Sequence, residues 1–338
     1  MGCRLFWLLF LFTLVSLPEV NAAPPDGREV LRRVLANEHH VPFTASQKVN
    51  IYSSGIISTT HTREIYLGKN RNRVEFISPA RLANRLVIND GKWHLEVNPA
   101  QKLVFRTPQN EGATLRKDEL LKRIEQSYTV SVDPHPVKLE KRSALILRIT
   151  PRNNDRDRRV WWVDSATYIV LQRAVYDPEN HLNALSNFHN ISFKLGGKTA
   201  GVLAAPTGKM RVVTRKTWPT FITCEEARRA APSWAHIPRN LGYGFQFVTA
   251  QNVQVNSTSS IHLQYSDGLC SLSLIQMPGQ VAVPIHGKSR KVSIFSNTGT
   301  LQKMDTFQVL SWSSRNVTSN LIADLNDDMM LRIARIVR

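Results

Sequence analysis

Apolar and polar positions alternate most clearly between Arg158 and Phe193, in three consecutive runs. Arg158 to Asp164 carries Val160, Trp161, Trp162 and Val163; Tyr168 to Tyr176 is rich in Ile, Val, Leu and Tyr; the third run extends from about His181 to Phe193. β-Branched and aromatic residues at this density predict antiparallel strands. Asp177-Pro178-Glu179-Asn180 predicts the turn between the last two, since Pro presets φ and Asn accepts the left-handed position. A meander of this kind needs a second apolar layer, so it reads as the middle of a large curved sheet.

The pattern extends the sheet toward the N-terminus. Val49 to Ser53, Glu64 to Gly68 and Asn72 to Ile77 read as strands. Asp90-Gly91 predicts a tight hairpin between Arg85–Asn89 and Lys92–Val97, and Lys102 to Arg106 follows. Helical spacing appears twice. Pro24 to Asn37, capped by Asp26, aligns Val30, Leu31, Val34 and Leu35; Thr114 to Ser127, capped by Thr114 or Asp118, aligns Leu120, Leu121 and Ile124. Tyr128 to Val132 and Ala144 to Thr150 then resume the strands.

Apolar periodicity fades over 196–217, where Gly, Ala, Pro and Lys dominate, as in a linker. Beyond it, Thr223 to Ala231 predicts a short helix and Gly244 to Val255 a strand. Asp267-Gly268 predicts a hairpin between Ile261–Ser266 and Leu269–Gln276. From Pro278 to Lys303 only Val292 to Phe295 carries a strand signal. Phe307 to Ser311 and Asn316 to Ile322 read as final strands, and Asp324 to Val337 as a closing helix. The expected fold is mostly β with α (α+β): a curved antiparallel half-barrel with helices over 24–195, a linker over 196–217, and a smaller α+β domain over 218–338.

The N-terminus changes the setting. A basic start, a nearly unbroken apolar run from Leu5 to Leu17, Pro18 and the small residues of Val20-Asn21-Ala22 read as a cleaved export signal over 1–22. The run is too short to span a bilayer comfortably. The formal net charge of +18 would suggest nucleic acid in a cytosolic protein. An exported protein meets other polyanions, such as lipid headgroups and cell-wall polymers, and no nucleic-acid partner is expected.

Catalytic chemistry finds little support. The stretch Ala282 to Ser289 approaches a phosphate-binding loop, but Ala282 stands where the first Gly is required. His39 and His40 are adjacent and lack further ligands at metal spacing. No acid/base pair stands out, and the reading is of a protein that is not an enzyme and needs no cofactor or metal. Trp161 and Trp162 on one strand face opposite sides, so one enters the core or a cavity. Trp93, Trp161 and Trp162 are the candidates for an aromatic wall against an acyl chain, although core filling explains each as well. Arg158 and Arg159, clustered with Arg152 and Arg156, form either a solvated face or a rim for anionic headgroups. Cys224 and Cys270 remain after removal of the signal and are either bonded to one another or two separate thiols.

Two stretches carry a family resemblance. LILRITPR, RRVWWVD and YIVLQRAVYDPEN resemble the meander of the LolA/LolB-like lipoprotein carriers, with Asn180 at the usual Gly of the turn. In the C-terminal part, Pro238 and Gly244-Phe245, the hairpin Tyr265-Ser266-Asp267-Gly268-Leu269, and Asp324, Leu325, Leu331, Ile333 and Ala334 resemble, in that order, the RseB/MucB C-terminal domain. Asn326 replaces a Pro of that pattern, and Ala323 a Gly. The resemblance implies an exported regulator that binds the extracytoplasmic part of an anti-sigma factor and senses a lipid, lipoprotein or lipopolysaccharide effector in envelope stress. Peripheral membrane contact would fit. It makes Tyr265, Asp267 and Gly268 the candidates for partner binding. The alternative is a periplasmic lipid or lipoprotein carrier using the same cavity.

Overall fold

The computed structural model describes residues 25–337 apart from 39, 54, 110–114, 196–200, 206–207, 216, 256, 282–287 and 305–306. The expected export signal, His39, Thr114 and most of the loop from Ala282 to Ser289 lie outside the described residues.

The chain forms two open sheets and four helices among the described residues. In chain order the first part contains α1 (Gly27–Asn37), β1 (Phe43–Ser53), β2 (Ile56–Tyr66), β3 (Asn72–Ser78), β4 (Leu86–Asn89), β5 (Trp93–Asn98) and β6 (Leu103–Pro108). It continues with α2 (Lys117–Ser127), β7 (Tyr128–Val132), β8 (Val137–Leu139), β9 (Arg142–Pro151), β10 (Arg158–Asp164), β11 (Val170–Tyr176), β12 (Leu182–Ser192) and β13 (Arg211–Thr214). These thirteen strands make one sheet in the order β13-β6-β5-β4-β3-β2-β1-β12-β11-β10-β9-β7, with β8 also on β9. The expected meander forms β10, β11 and β12, interior strands between β1 and β9, and Asn180 takes the left-handed turn position at φ 69°.

The second part contains β14 (Thr220–Phe221), α3 (Cys224–Ala230), β15 (Gln246–Val255), β16 (Thr258–Ser266), β17 (Ser271–Pro278), β18 (Lys288–Ile294), β19 (Asn297–Lys303), β20 (Gln308–Ser314), β21 (Val317–Ala323) and α4 (Asp327–Ala334). Its eight strands form a separate sheet, ordered β14-β15-β16-β17-β21-β20-β19-β18. No helix among the described residues is long and apolar enough to cross a membrane.

Several boundaries depart from expectation, each for a local reason. The expected linker contributes β13, which pairs in parallel with β6 from Arg211–Leu103 to Thr214–Arg106. The stretch read as low in order is the β18–β19 hairpin, whose sparse apolar positions, Val292, Ile294 and Leu301, all turn inward. β1 starts at Phe43, because Phe43 and Ala45 bury one face of a segment otherwise too polar to register as a strand. Helix α2 starts from Arg116 with no side-chain cap, and Asp118 sits inside its first turn instead. Asn326, where the family pattern has Pro, caps α4 by accepting from the Met329 backbone N–H at 2.9 Å.

Strand alternation divides the first sheet into two faces. Helices α1 and α2 cover one end of the inner face, and Val30, Leu31, Val34, Ile124, Leu147, Ile149, Trp161 and Val163 make the core beneath them. Leu31, Ile124, Leu147 and Ile149 are fully buried, each contributing about 1.5–3 kcal/mol. At the far end the outer face is covered instead: Leu86, Ile88, Val97 and Val104 pack against Leu203, Ala205 and Met210. The middle of the inner face lies open beside α1.

Candidate functional site

That open region is a cavity of about 710 Å³, within the range that holds a single small ligand. One wall is aromatic. Phe43 on β1 pairs with Tyr66 on β2, their rings stacked at 5.4 Å, and Phe188 on β12 tilts against Phe43 at 5.3 Å. Val34 of α1 and Val170 of β11 border the cavity and belong to the core under the helices.

The other wall is polar and ordered. Gln109 Nε2 donates to Asn89 Oδ1 at 2.9 Å, Asn89 Nδ2 to Asn72 Oδ1 at 2.6 Å, and Asn72 Nδ2 to Glu64 Oε1 at 3.3 Å. His94 Nδ1 also lies 2.8 Å from Asn89 Oδ1. Tyr66, Asn72, Asn89 and His94 are successive cross-strand partners on β2 to β5, so the row follows from register. Burial holds the Glu64 carboxyl above the usual carboxylate range, against the Asn72 hydrogen bond and the Arg173 charge. Arg173 itself donates to Glu38 at 2.7 Å.

The structure distributes the expected ligand-binding residues more widely than a shared site requires. Trp161 is buried in the core beneath the helices, with the Arg173 guanidinium 5.5 Å over its ring. Trp162 is half-buried on the outer face. Trp93 shares the outer face with Leu95 and Val97, and Arg106 stacks on it at 4.8 Å, so it faces away from the cavity. Arg158 lies over the Tyr176 ring at 4.4 Å and donates to the Asn180 side chain. Arg159 points to the second sheet and donates to Cys270 Sγ at 3.4 Å. Neither arginine is at the cavity rim, because both are engaged beside the turns at the end of β10.

The hairpin expected to meet a partner is enclosed within the chain. Tyr265 and Asp267 are fully buried. Asp267 Oδ2 accepts from Arg156 Nη1 at 2.6 Å and from the Tyr128 hydroxyl at 2.8 Å. Its Oδ1 accepts from the backbone N–H groups of Leu269 and Cys270. Both Arg156 and Asp267 are shielded from water, and Asp155 braces the guanidinium from its other edge at 2.8 Å. Gly268 sits at φ 103°, and a Cβ there would come within 2.7 Å of the Ile124 side chain and 2.9 Å of its backbone nitrogen. Leu269 packs against the core of the first sheet. Arg123 of α2 extends the seam, donating to the carbonyls of Gln246, Ser266 and Phe247 at 3.0–3.2 Å. Tyr265 holds the second core instead, its hydroxyl donating to the Pro238 carbonyl at 2.8 Å. The hairpin is therefore the plug that seats one sheet on the other.

Burial pushes the Tyr128 phenol up, and neighbouring Cys270 and Asp267 add to the shift. Burial also raises the Cys270 thiol, in spite of the Arg159 guanidinium beside it. Both cysteines are free thiols. Cys224 is enclosed in the second core, its Sγ directed at the Ile237 carbonyl at 3.7 Å, while Cys270 belongs to the seam. The two are set in different environments, and the bonded alternative gives way to separate thiols. A second carboxylate lies at the seam: burial and the Asp324 charge push Asp157 up to about 6.

No protein-family model matches the chain, and no curated protein does. Solved structures do. The Pseudomonas aeruginosa MucA/MucB complex superposes with a TM-score of 0.57 at 14% identity, covering 91% of this chain and 96% of that one. A second structure of MucB, in complex with MucA(peri), gives 0.58 at 14% identity over 93% and 98%. MucB alone gives 0.50 at 14% identity over 91% and 96%. Across about nine-tenths of its length, this chain has the fold of MucB.

Proposed function

We propose that this chain is an exported, non-catalytic regulator that binds the extracytoplasmic segment of an anti-sigma factor and responds to a lipid-like effector in the cavity of its first sheet. The observation that carries the reading is the fold shared with MucB along both sheets, MucB having been crystallised with MucA(peri). The C-terminal motifs that resemble the RseB/MucB family support it, and three of their residues, Asp267, Gly268 and Leu269, meet the first sheet at the seam. The mechanism is linkage. A ligand that favours one arrangement of the sheets changes partner affinity by its differential affinity for the two arrangements. A physical route exists, because Val34 and Val170 border the cavity and share a core with Leu269 of the plug.

The test mixes the full exported chain with the extracytoplasmic segment of an anti-sigma factor from the same organism, read by native mass spectrometry. A complex that also retains, or is dissolved by, a lipid supports the proposal. Lipid without a partner favours the carrier reading. If neither is retained, both readings fail.

A further inference from the structure

The cavity ends in a polar wall that a pure acyl-chain pocket would not need, and this wall has unused hydrogen-bonding capacity. The amide row from Gln109 through Asn89 and Asn72 is directional: each side chain donates toward Glu64. Glu64 receives one of these bonds on Oε1, and among the described residues no hydrogen bond is made to Oε2. The Tyr66 hydroxyl, on the same strand and face, is buried and donates its proton to no described residue. A buried hydroxyl left in this state costs free energy until something pairs with it, and Glu64, half-buried, presents its free oxygen to the cavity. The cavity therefore offers an acceptor at Glu64 and a donor at Tyr66, next to an aromatic stack.

The charges narrow the ligand further. Four charged side chains border the cavity, two acidic (Glu38, Glu64) and two basic (Lys69, Arg173), so the lining is formally neutral. Arg173 is already committed to Glu38. Lys69, exposed in the turn after β2, has no ion pair among the described residues, but an anionic headgroup seated on the polar wall itself would lie against the Glu64 carboxylate. A hydroxyl-rich headgroup donates to Glu64, accepts from Tyr66 and lays its apolar face on the ring stack.

We infer that the cavity selects an amphiphile with a neutral, hydroxyl-bearing headgroup, such as a sugar, through the juxtaposition of Glu64, Tyr66 and the Phe43 ring. This rests on the cavity being the effector site and names the chemistry that the effector presents.

The test compares dodecyl maltoside, dodecyl phosphate and dodecylphosphocholine, which share a chain and differ in headgroup. Each is titrated below its micelle concentration into the full exported chain, by calorimetry. The maltoside should bind at least about tenfold tighter than dodecyl phosphate, as expected for hydrogen bonds to a charged acceptor. Glu64→Gln should reduce that preference to about twofold or less, and Asn72→Ala, which removes the donor behind Glu64, should weaken it as well. If a variant fails to fold, the wild-type ranking still decides. Equal binding of all three, or tighter binding of the phosphate, overturns the inference and leaves the effector cavity standing. Binding of none overturns both.

Discussion

The seam and the cavity are built from the same kinds of residue and use them in opposite ways. At the seam, Asp267 has four donors on two oxygens, and its partner Arg156 is braced by Asp155. At the cavity, Glu64 has one long hydrogen bond and an aromatic wall facing open space. Asp267 is shut off from water, whereas Glu64 is half-buried at the cavity wall. The difference lies in satisfaction: a paired buried charge locks a geometry, whereas a half-satisfied one waits for a partner. The first is a structural plug; the second is a cavity wall with hydrogen-bonding capacity left over.

If that contrast holds, the largest effect should come from breaking the plug. Asp267→Ala leaves the buried Arg156 guanidinium with Asp155 alone and the Tyr128 hydroxyl and two backbone N–H groups without their acceptor, a loss of about 3–5 kcal/mol. Urea unfolding should show it, with the two sheets separating before either unfolds. Replacing both partners, as Asp267→Leu with Arg156→Met, should recover part of the loss, since it removes the buried guanidinium while leaving Asp155, and the remaining donors to Asp267, without partners. A double-mutant cycle with no coupling between the two positions would remove the ion pair from the account.

Gly268→Ala comes next. The added Cβ is strained at φ 103° and overlaps Ile124 of α2, which predicts a loss of about 1–3 kcal/mol. Thermal unfolding would check it. Gly244→Ala should act in the same direction, because its backbone is also left-handed and its Cβ would overlap the Ser127 hydroxyl.

Acidity offers a milder probe with a defined sign. Asp157 is pushed up to about 6 by burial first and then by the negative charge of Asp324, with Asn183, Arg159 and Asp177 also facing it. The folded state thus holds a proton that the unfolded chain has already released. Its contribution is favourable at low pH and fades as pH rises through about 6. Raising the pH from 5 to 7 should therefore loosen the seam, by on the order of 1 kcal/mol. Proteolysis of the interdomain connection across that range would show faster cleavage at pH 7, and Asp157→Asn should flatten the trend. Faster cleavage at pH 5 would contradict the assignment.

The smallest effect on stability should come from the cavity. Glu64→Gln removes a carboxylate that the fold holds above its ordinary range. At neutral pH it should leave stability unchanged or raise it by about 0.5 kcal/mol. Chemical denaturation of both proteins would decide. A marked loss would show that Glu64 is structural and that the two regions are not so different.

How much of this was legible in the sequence depends on where each residue finds its partner. The meander, the Asp90-Gly91 and Asp267-Gly268 turns and the helical stripes of α1 and α4 were readable, because their signals lie within a few residues. The β18–β19 hairpin was not: strands such as KSRKVSI and NTGTLQK bury too few apolar side chains to show a period of two. The cavity's amide row was also invisible, since Asn72, Asn89 and Gln109 look like ordinary turn and strand-end residues until register aligns them. The motif residues Asp267 and Gly268 were found, but a polar turn reads as a surface. What corrects them is Arg156, 111 positions earlier in the chain. Leu269 was the available hint, an apolar residue at a turn that solvent should have claimed. Arg159 was misread in the same way, as a rim residue, because its thiol partner comes from the other sheet.

The proposed linkage requires that ligand in the cavity alter partner binding through the seam. The direct measurement is the Kd of the full chain for an anti-sigma factor's extracytoplasmic segment, with and without saturating dodecyl maltoside, in wild type and in Glu64→Gln. Wild-type Kd should change by about five- to a hundredfold on adding the amphiphile, and much less in the variant. An unchanged Kd while the amphiphile is demonstrably bound would contradict the linkage.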